Sequence, residues 1–149
     1  NVSHTAGYIV CLVGLDLDCG VDAERIVEMP DLMAVAEEVF SKNEIASLRN
    51  LQGAARLQGF YRYWTLKEAF IKAVGMGVSM PLREIDFAGS TSVSPRLQVS
   101  PRVGERADDW QLTCVAHSEQ VAMAVAVRRG LASPRRLVVH PFTLQRHPC

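Results

Sequence analysis

The spacing of apolar residues divides the chain into three parts. Residues 8–13 form a compact apolar run rich in β-formers, and Gly14 separates it from Leu15-Asp16-Leu17-Asp18, where apolar and acidic residues alternate. This pattern predicts a strand, a tight break and a second strand. After Pro30 the period changes. Leu32, Val35, Ala36, Val39 and Phe40 recur at helical spacing behind Asp31, a residue able to cap the first turn. Ser41-Lys42-Asn43-Glu44 has the form of a capping box and predicts a second, short helix. A long helix is predicted over residues 54–74. Phe60, Trp64, Lys67, Glu68, Ile71 and Val74 share one broad face of it, and Gly75-Met76-Gly77 ends it. Residues 88–108 are rich in Gly, Ser, Pro and charge, with a strand predicted only at 96–100. The runs 110–117 and 121–127, parted by three residues, predict a hairpin. Strands, then helices, then strands predict an α+β domain over residues 1–130: an antiparallel sheet with a long helix packed on one face. Residues 131–149, with Pro134, Pro141 and Pro148, read as a basic tail of low structure.

The chain's 149 residues and 48% apolar content suit one domain with a real core. Sixteen basic and sixteen acidic residues cancel, so overall charge gives no basis for nucleic-acid binding. The charge is uneven, however. No acid follows Glu119, whereas Arg128, Arg129, Arg135, Arg136 and Arg146 do, as a solvated tail or as a contact for an acidic partner. No apolar run reaches the roughly 18 residues of a membrane span. Four cysteines show neither a C-x-x-C pair nor zinc spacing. Cys11 and Cys114 sit in apolar runs and read as small core residues, and free thiols point to a reducing, cytoplasmic setting.

Side chains two apart on a strand point the same way, so Asp16 and Asp18 would share a face. Two carboxylates together repel and are costly to bury. Either Leu15 and Leu17 face a core while both acids face water, or a divalent cation reverses the repulsion, hard oxygen ligands being what Mg²⁺ prefers. On the long helix, Glu68 and Lys72 stand four apart in the order that favours an ion pair. Thr65 and Glu68 also fit a capping box, but the apolar period runs unbroken back to Phe60, so no helix start is read there. Glu68 is a candidate to complete an oxygen site with Asp16 and Asp18, and Lys67 and Lys72 are candidates to meet phosphate oxygens. Trp64, one turn earlier, reads as core. His4 either binds phosphate or is simply exposed near the terminus.

Four segments, in this order, resemble the Sfp-type 4′-phosphopantetheinyl transferases. That family carries (F)N-x-S-H, G-[IV]-D-[IVL]-[ED], F-S-x-x-E and W-[ST]-x-K-E-[AS]-[FYL]-x-K-x-x-G-x-G. The chain has NVSH at 1–4, GLDLD at 14–18, FSKNE at 40–44 and WTLKEAFIKAVGMG at 64–77, and the likeness extends to about Val127. Each piece is common, but their combination in order is specific.

The resemblance implies transfer of the phosphopantetheine arm of coenzyme A to a serine of an acyl or peptidyl carrier protein, with Mg²⁺ on the pyrophosphate and release of 3′,5′-ADP. Carried over by position, Asp16, Asp18 and Glu68 would hold the metal, and Glu68 would also be the general base. Lys72 would contact the pyrophosphate, while Lys67, Ser3 and His4 would help hold the coenzyme A phosphates. Family members of this type are pseudo-dimers of two similar halves. The chain corresponds to the second half, so an N-terminal half that covers an apolar face is implied to be missing. The gap from His4 to Asp16 is shorter than the family's usual one, and Asp18 stands where Glu is common. Alternatives are a non-catalytic half-domain that binds a carrier protein or partner half, a trimeric synthase of the short holo-carrier-protein type, and another Mg²⁺-dependent phosphodiester enzyme.

Overall fold

The structure, a computed structural model, describes residues 1–90, 95–115, 120–129 and 134–141. A hairpin opens the chain, β1 (Val2–Thr5) against β2 (Tyr8–Cys11), with Gly7 at φ +83° in its turn. β3 (Cys19–Arg25) follows, then three helices, α1 (Leu32–Val39), α2 (Lys42–Arg49) and α3 (Gly53–Val74). β4 (Ile85–Asp86) and β5 (Gln98–Val99) pair as a small ribbon. β6 (Trp110–Cys114) and β7 (Val121–Arg128) complete an antiparallel sheet in the order β3-β7-β6. The architecture is the α+β arrangement that the element order predicts.

The sheet is shaped to receive α3. Gly20, Asp22 and Glu24 of β3 lie opposite Ala126, Ala124 and Ala122 of β7, and Leu112 and Cys114 of β6 continue that face. Small residues along β7 let the helix lie close. Closest of all is Gly20, where a Cβ would stand 2.1 Å from the Ala69 carbonyl oxygen and 2.6 Å from the Ala73 nitrogen. Only glycine lets the helix backbone meet the strand backbone there. Phe60, Leu66 and Phe70 of α3 fill the interior with Phe40, Leu48, Ile85 and Phe87, and Phe70 meets Trp110 edge-on at 4.9 Å. Burying side chains of this size contributes about 1.5–3 kcal/mol each. Gly75, at φ +78°, ends α3 with its N–H on the Ile71 carbonyl.

The capping box at Ser41 forms as predicted: its hydroxyl accepts from the Glu44 N–H, and the Glu44 carboxylate accepts from the Ser41 N–H. Asp31 occupies the cap position of α1 but makes no side-chain cap bond.

The N-terminal region departs from the pattern. Residues 15–18 are not a strand. Leu15 is 86% exposed and Asp16 sits at φ 51°, a left-handed conformation suited to a loop. The strand runs instead from Cys19, and Val21 and Ala23 are its buried apolar residues. Cys11 is exposed rather than core. Cys114 is half-buried, and burial pushes its thiol pKa up. Residues 134–141 carry no helix or strand. Arg135 is held there by Gln111, whose amide donates to the Arg135 carbonyl at 2.8 Å and accepts from its N–H at 2.6 Å. The rest of the predicted tail, 131–133 and 142–149, lies outside the described residues.

Candidate active site

Strand β3 and helix α3 bring one cluster of charges together. Asp22 is buried, and its Oδ1 accepts from Lys72 Nζ at 2.6 Å and from the Ser3 hydroxyl at 2.9 Å. Its Oδ2 is buried too and has no hydrogen-bond partner among the described residues. Lys72 also reaches the Val21 carbonyl at 3.3 Å and Ser3 Oγ at 3.4 Å. Glu24 lies two residues along the same strand face. Glu68 lies one turn before Lys72 on α3. Burial raises the Glu68 pKa, the Asp22 charge raises it further, and Lys72 pulls it back. Glu24 is raised by burial and then by Asp22, with Lys72 opposing, Glu68 adding and His4 opposing. Three carboxylates and one ammonium therefore share a field, half open to solvent.

Predicted site residues divide accordingly. Glu68 and Lys72 are in the cluster. Asp16 and Asp18 are not: both are exposed in the loop between β2 and β3. Asp18 accepts from Arg128 Nε at 2.8 Å, and Arg128 also binds Glu105 and stacks over Trp110. Asp18 precedes Asp22 by four residues along an extended chain, about 13 Å. The acids that share the face of Glu68 are Asp22 and Glu24, within Gly20-Val21-Asp22-Ala23-Glu24, a second segment of the form G-x-D-x-[DE]. Measured to Asp22 the gap from His4 is no longer short, and position 24 supplies the Glu that Asp18 lacked. Gly20 is what lets this strand lie under Lys72.

Lys67 faces inward. Its ammonium, 3% exposed, pairs with Glu44 at 2.9 Å and donates to the carbonyls of Leu82 and Ile85. Burial lowers the Lys67 pKa and raises that of Glu44, and their pairing pulls each back. No donor is left for a phosphate. Ser3 is buried between β1 and β3, while His4 stays exposed beside the cluster. Trp64 is half-buried, stacked on Phe60 with ring centroids 6.0 Å apart.

As placed, no three Asp, Glu, His or Cys side chains among the described residues converge to metal-ligand spacing. Mg²⁺ needs no such cage, since it takes one or two carboxylates and completes its shell with water and substrate phosphates. A buried, unpartnered carboxylate oxygen on Asp22, beside two further acids, fits that requirement. Two surface depressions lie elsewhere. One of about 520 Å³ is lined by Lys42, Arg83 and Asp86, the other by Leu17, Cys19 and Leu137, and none of Asp22, Glu24, Glu68 and Lys72 lines either.

A family model described as the 4′-phosphopantetheinyl transferase superfamily matches residues 18–126. The 4′-phosphopantetheinyl transferase HetI of Nostoc sp. is 32% identical over 127 residues, 85% of this chain and 50% of that protein. The 4′-phosphopantetheinyl transferase ffp of Bacillus subtilis is 32% identical over 133 residues, 87% of this chain and 54% of that protein. The chain thus spans about half the length of these relatives. Among solved structures, an ACPS–CoA complex from Chronobacterium ammoniagenes superposes with a TM-score of 0.58 at 21% identity, covering 78% of this chain and 98% of that one. A holo-(acyl-carrier-protein) synthase from Bacillus anthracis, in complex with CoA (3′,5′-ADP), gives 0.55 at 21% identity, covering 75% and 95%. At such identity these two likenesses concern the fold.

Proposed function

The chain belongs to the 4′-phosphopantetheinyl transferase superfamily, and on that premise we propose that it is the acid-bearing half of an enzyme moving phosphopantetheine from coenzyme A to a carrier-protein serine. The observation that carries the reading is the cluster on β3 and α3: Asp22 with a free buried oxygen, Glu24 and Glu68 beside it, and Lys72 at the rim. In the proposed reaction the serine oxygen bonds to the phosphorus that bears the pantetheine arm. The P–O bond to the leaving 3′,5′-ADP breaks, and the serine proton passes to Glu68 directly or through water. Asp22, Glu24 and Glu68 are the residues that would hold Mg²⁺, which supplies charge neutralisation on the pyrophosphate when bound. Lys72 neutralises charge growing on the leaving phosphate. His4, exposed and close enough to lower the Glu24 pKa slightly, would meet coenzyme A phosphate in this reading, whereas Lys67 serves the interior. Coenzyme A and carrier proteins as substrates make a cytoplasmic setting part of the proposal.

The hairpin supports a missing partner half. Val2 pairs with Cys11 and His4 with Ile9 on one face of it, and Val2, Ile9 and Cys11 are exposed there, with Val13 and Leu15 exposed just beyond. A surface this apolar on so small a unit suits a protein interface. The same face favours the second reading, a half-domain without activity of its own. The two separate in one experiment: incubate the chain with coenzyme A, Mg²⁺ and an apo carrier protein, with and without an N-terminal half from a relative, and follow carrier mass. Gain of the phosphopantetheine mass in either mixture supports transfer. Gain only with the added half makes the chain an incomplete enzyme, and no gain in both sinks the proposal.

A further inference from the structure

The hairpin is joined to the sheet in an unusual way. β1 lies along the free edge of β3, yet the bonds between them come from side chains. Asn1 Oδ1 accepts from the Val21 N–H at 3.0 Å, Ser3 Oγ from the Ala23 N–H at 3.2 Å, and Thr5 Oγ1 from the Arg25 N–H at 3.0 Å. Three polar residues at alternate positions thus satisfy three alternate edge donors, which would otherwise be costly to leave unpaired. The first and third do only this. The second, Ser3, also donates its single hydroxyl proton to Asp22 Oδ1. With Lys72 on that same oxygen, Oδ1 is fully engaged and Oδ2 is left free.

We infer that Ser3 is a positioning residue for the metal-binding carboxylate: by committing its proton to Oδ1 of Asp22, it fixes the ring of contacts that leaves the buried Oδ2 unpartnered among the described residues and available to a divalent cation. Ser3 therefore acts through Asp22 and not on coenzyme A phosphate: the residue is buried, its one proton goes to Asp22, and its oxygen accepts from the Ala23 N–H and from Lys72 Nζ. The Asn-x-Ser-x-Thr pattern at the chain's start is the means by which a hairpin outside the sheet orients a carboxylate inside the site. This rests on the metal role of Asp22 in the proposed function, and its test reads metal binding apart from transfer.

The experiment titrates Mn²⁺ into the 149-residue chain, free ion being followed by electron paramagnetic resonance, for wild type, Ser3→Ala, Ser3→Thr and Thr5→Val. Loss of an outer-shell partner of this kind weakens metal binding about tenfold or more. Ser3→Ala is expected to show that loss, and Ser3→Thr, which keeps the hydroxyl, to recover most of it. Thr5→Val removes the neighbouring rung without touching Asp22, so it should lower thermal stability as Ser3→Ala does and leave Mn²⁺ affinity at the wild-type value. Wild-type affinity in Ser3→Ala overturns the inference, as does equal weakening in Thr5→Val, which would trace the effect to strand docking. A wild-type chain that binds no Mn²⁺ overturns it as well. If Ser3→Ala fails to fold, Ser3→Cys, similar in size with a weak donor, is read in the same way. Should Mn²⁺ follow the expected pattern while carrier mass never changes, the transferase proposal fails and the role of Ser3 stands.

Discussion

Lys67 and Lys72 leave the same helix five residues apart, and each holds a buried carboxylate. Around Lys67 every bond is closed. Its three donors meet Glu44 and two carbonyls, and the Glu44 oxygens also take the N–H groups of Ser41 and Phe87. This pair ties α2, α3 and the β4 ribbon together. Around Lys72 the closure is partial. Its side chain is 29% exposed, and Asp22 keeps one oxygen unpartnered among the described residues. A closed ion pair has nothing left to offer a ligand, whereas one orphan oxygen beside two further acids is unfavourable until something positive arrives. Chemically similar pairs thus close the architecture at one point of the helix and, in the proposed function, leave a ligand site at the other.

The largest expected effect breaks the closed pair. Lys67→Met leaves a buried carboxylate and two carbonyls unmatched, and loss of one partner from such a pair costs about 3–5 kcal/mol. For a chain of this length that lowers Tm by about 10 °C, readable by calorimetry. Transfer per folded molecule should be unchanged; a stable Lys67→Met variant with a raised coenzyme A KM would return Lys67 to the binding site.

Breaking the open pair should do the reverse. Asp22→Asn and Glu68→Gln are each expected to lower transfer about 10²–10³-fold. Their melting temperatures should stay near wild type, because Lys72 can turn to solvent. A melting loss as large as that of Lys67→Met, or transfer within about threefold of wild type, would erase the contrast between the two pairs.

Gly20→Ala sits between these cases because it touches the contact on which the open pair depends. The new Cβ meets helix backbone, which cannot yield as a side chain would. Overpacking of this kind costs about 1–3 kcal/mol. Since relief requires α3 to move from β3, transfer should fall with it even in molecules that remain folded. Circular dichroism and carrier mass measured together check this, and intact transfer at wild-type stability would mean that the close approach is not needed.

The closed pair was partly visible in the amino-acid pattern, since Ser41 and Glu44 form a recognisable capping box; that Glu44 also receives Lys67 was not visible. The long helix was legible because its apolar period is sustained and Gly75 stops it. β1 was illegible for a definite reason. Asn1, Ser3 and Thr5 bind the sheet edge through polar side chains, so the strand shows no apolar alternation. The acids could not be chosen by pattern because G-x-D-x-[DE] occurs twice within residues 14–24, and the structure sets the second copy, not the first, beside Glu68. What separates the two copies is a long-range fact, the approach of α3 to Gly20. The only local signal was spacing from His4, too short to residues 14–18 and longer to residues 20–24.

The smallest effect decides between those two copies. In Asp16→Asn/Asp18→Asn, asparagine keeps the left-handed backbone at position 16 acceptable. It removes only an exposed ion pair with Arg128, which retains Glu105 and the Trp110 ring, with its guanidinium 4.5 Å from the ring centroid. Exposed pairs contribute about 0–1 kcal/mol, so Tm should move by no more than a few degrees. Transfer and its Mg²⁺ requirement should stay within about twofold of wild type, the range of surface substitutions. Glu24→Gln, on the other copy, should shift the Mg²⁺ requirement upward about tenfold. The outcome that would reverse the assignment is a steep Mg²⁺ shift in the double variant with none in Glu24→Gln. It would mean that the loop closes over the cluster when substrate is bound, bringing Asp16 and Asp18 to the phosphates across the distance that β3 now puts between them.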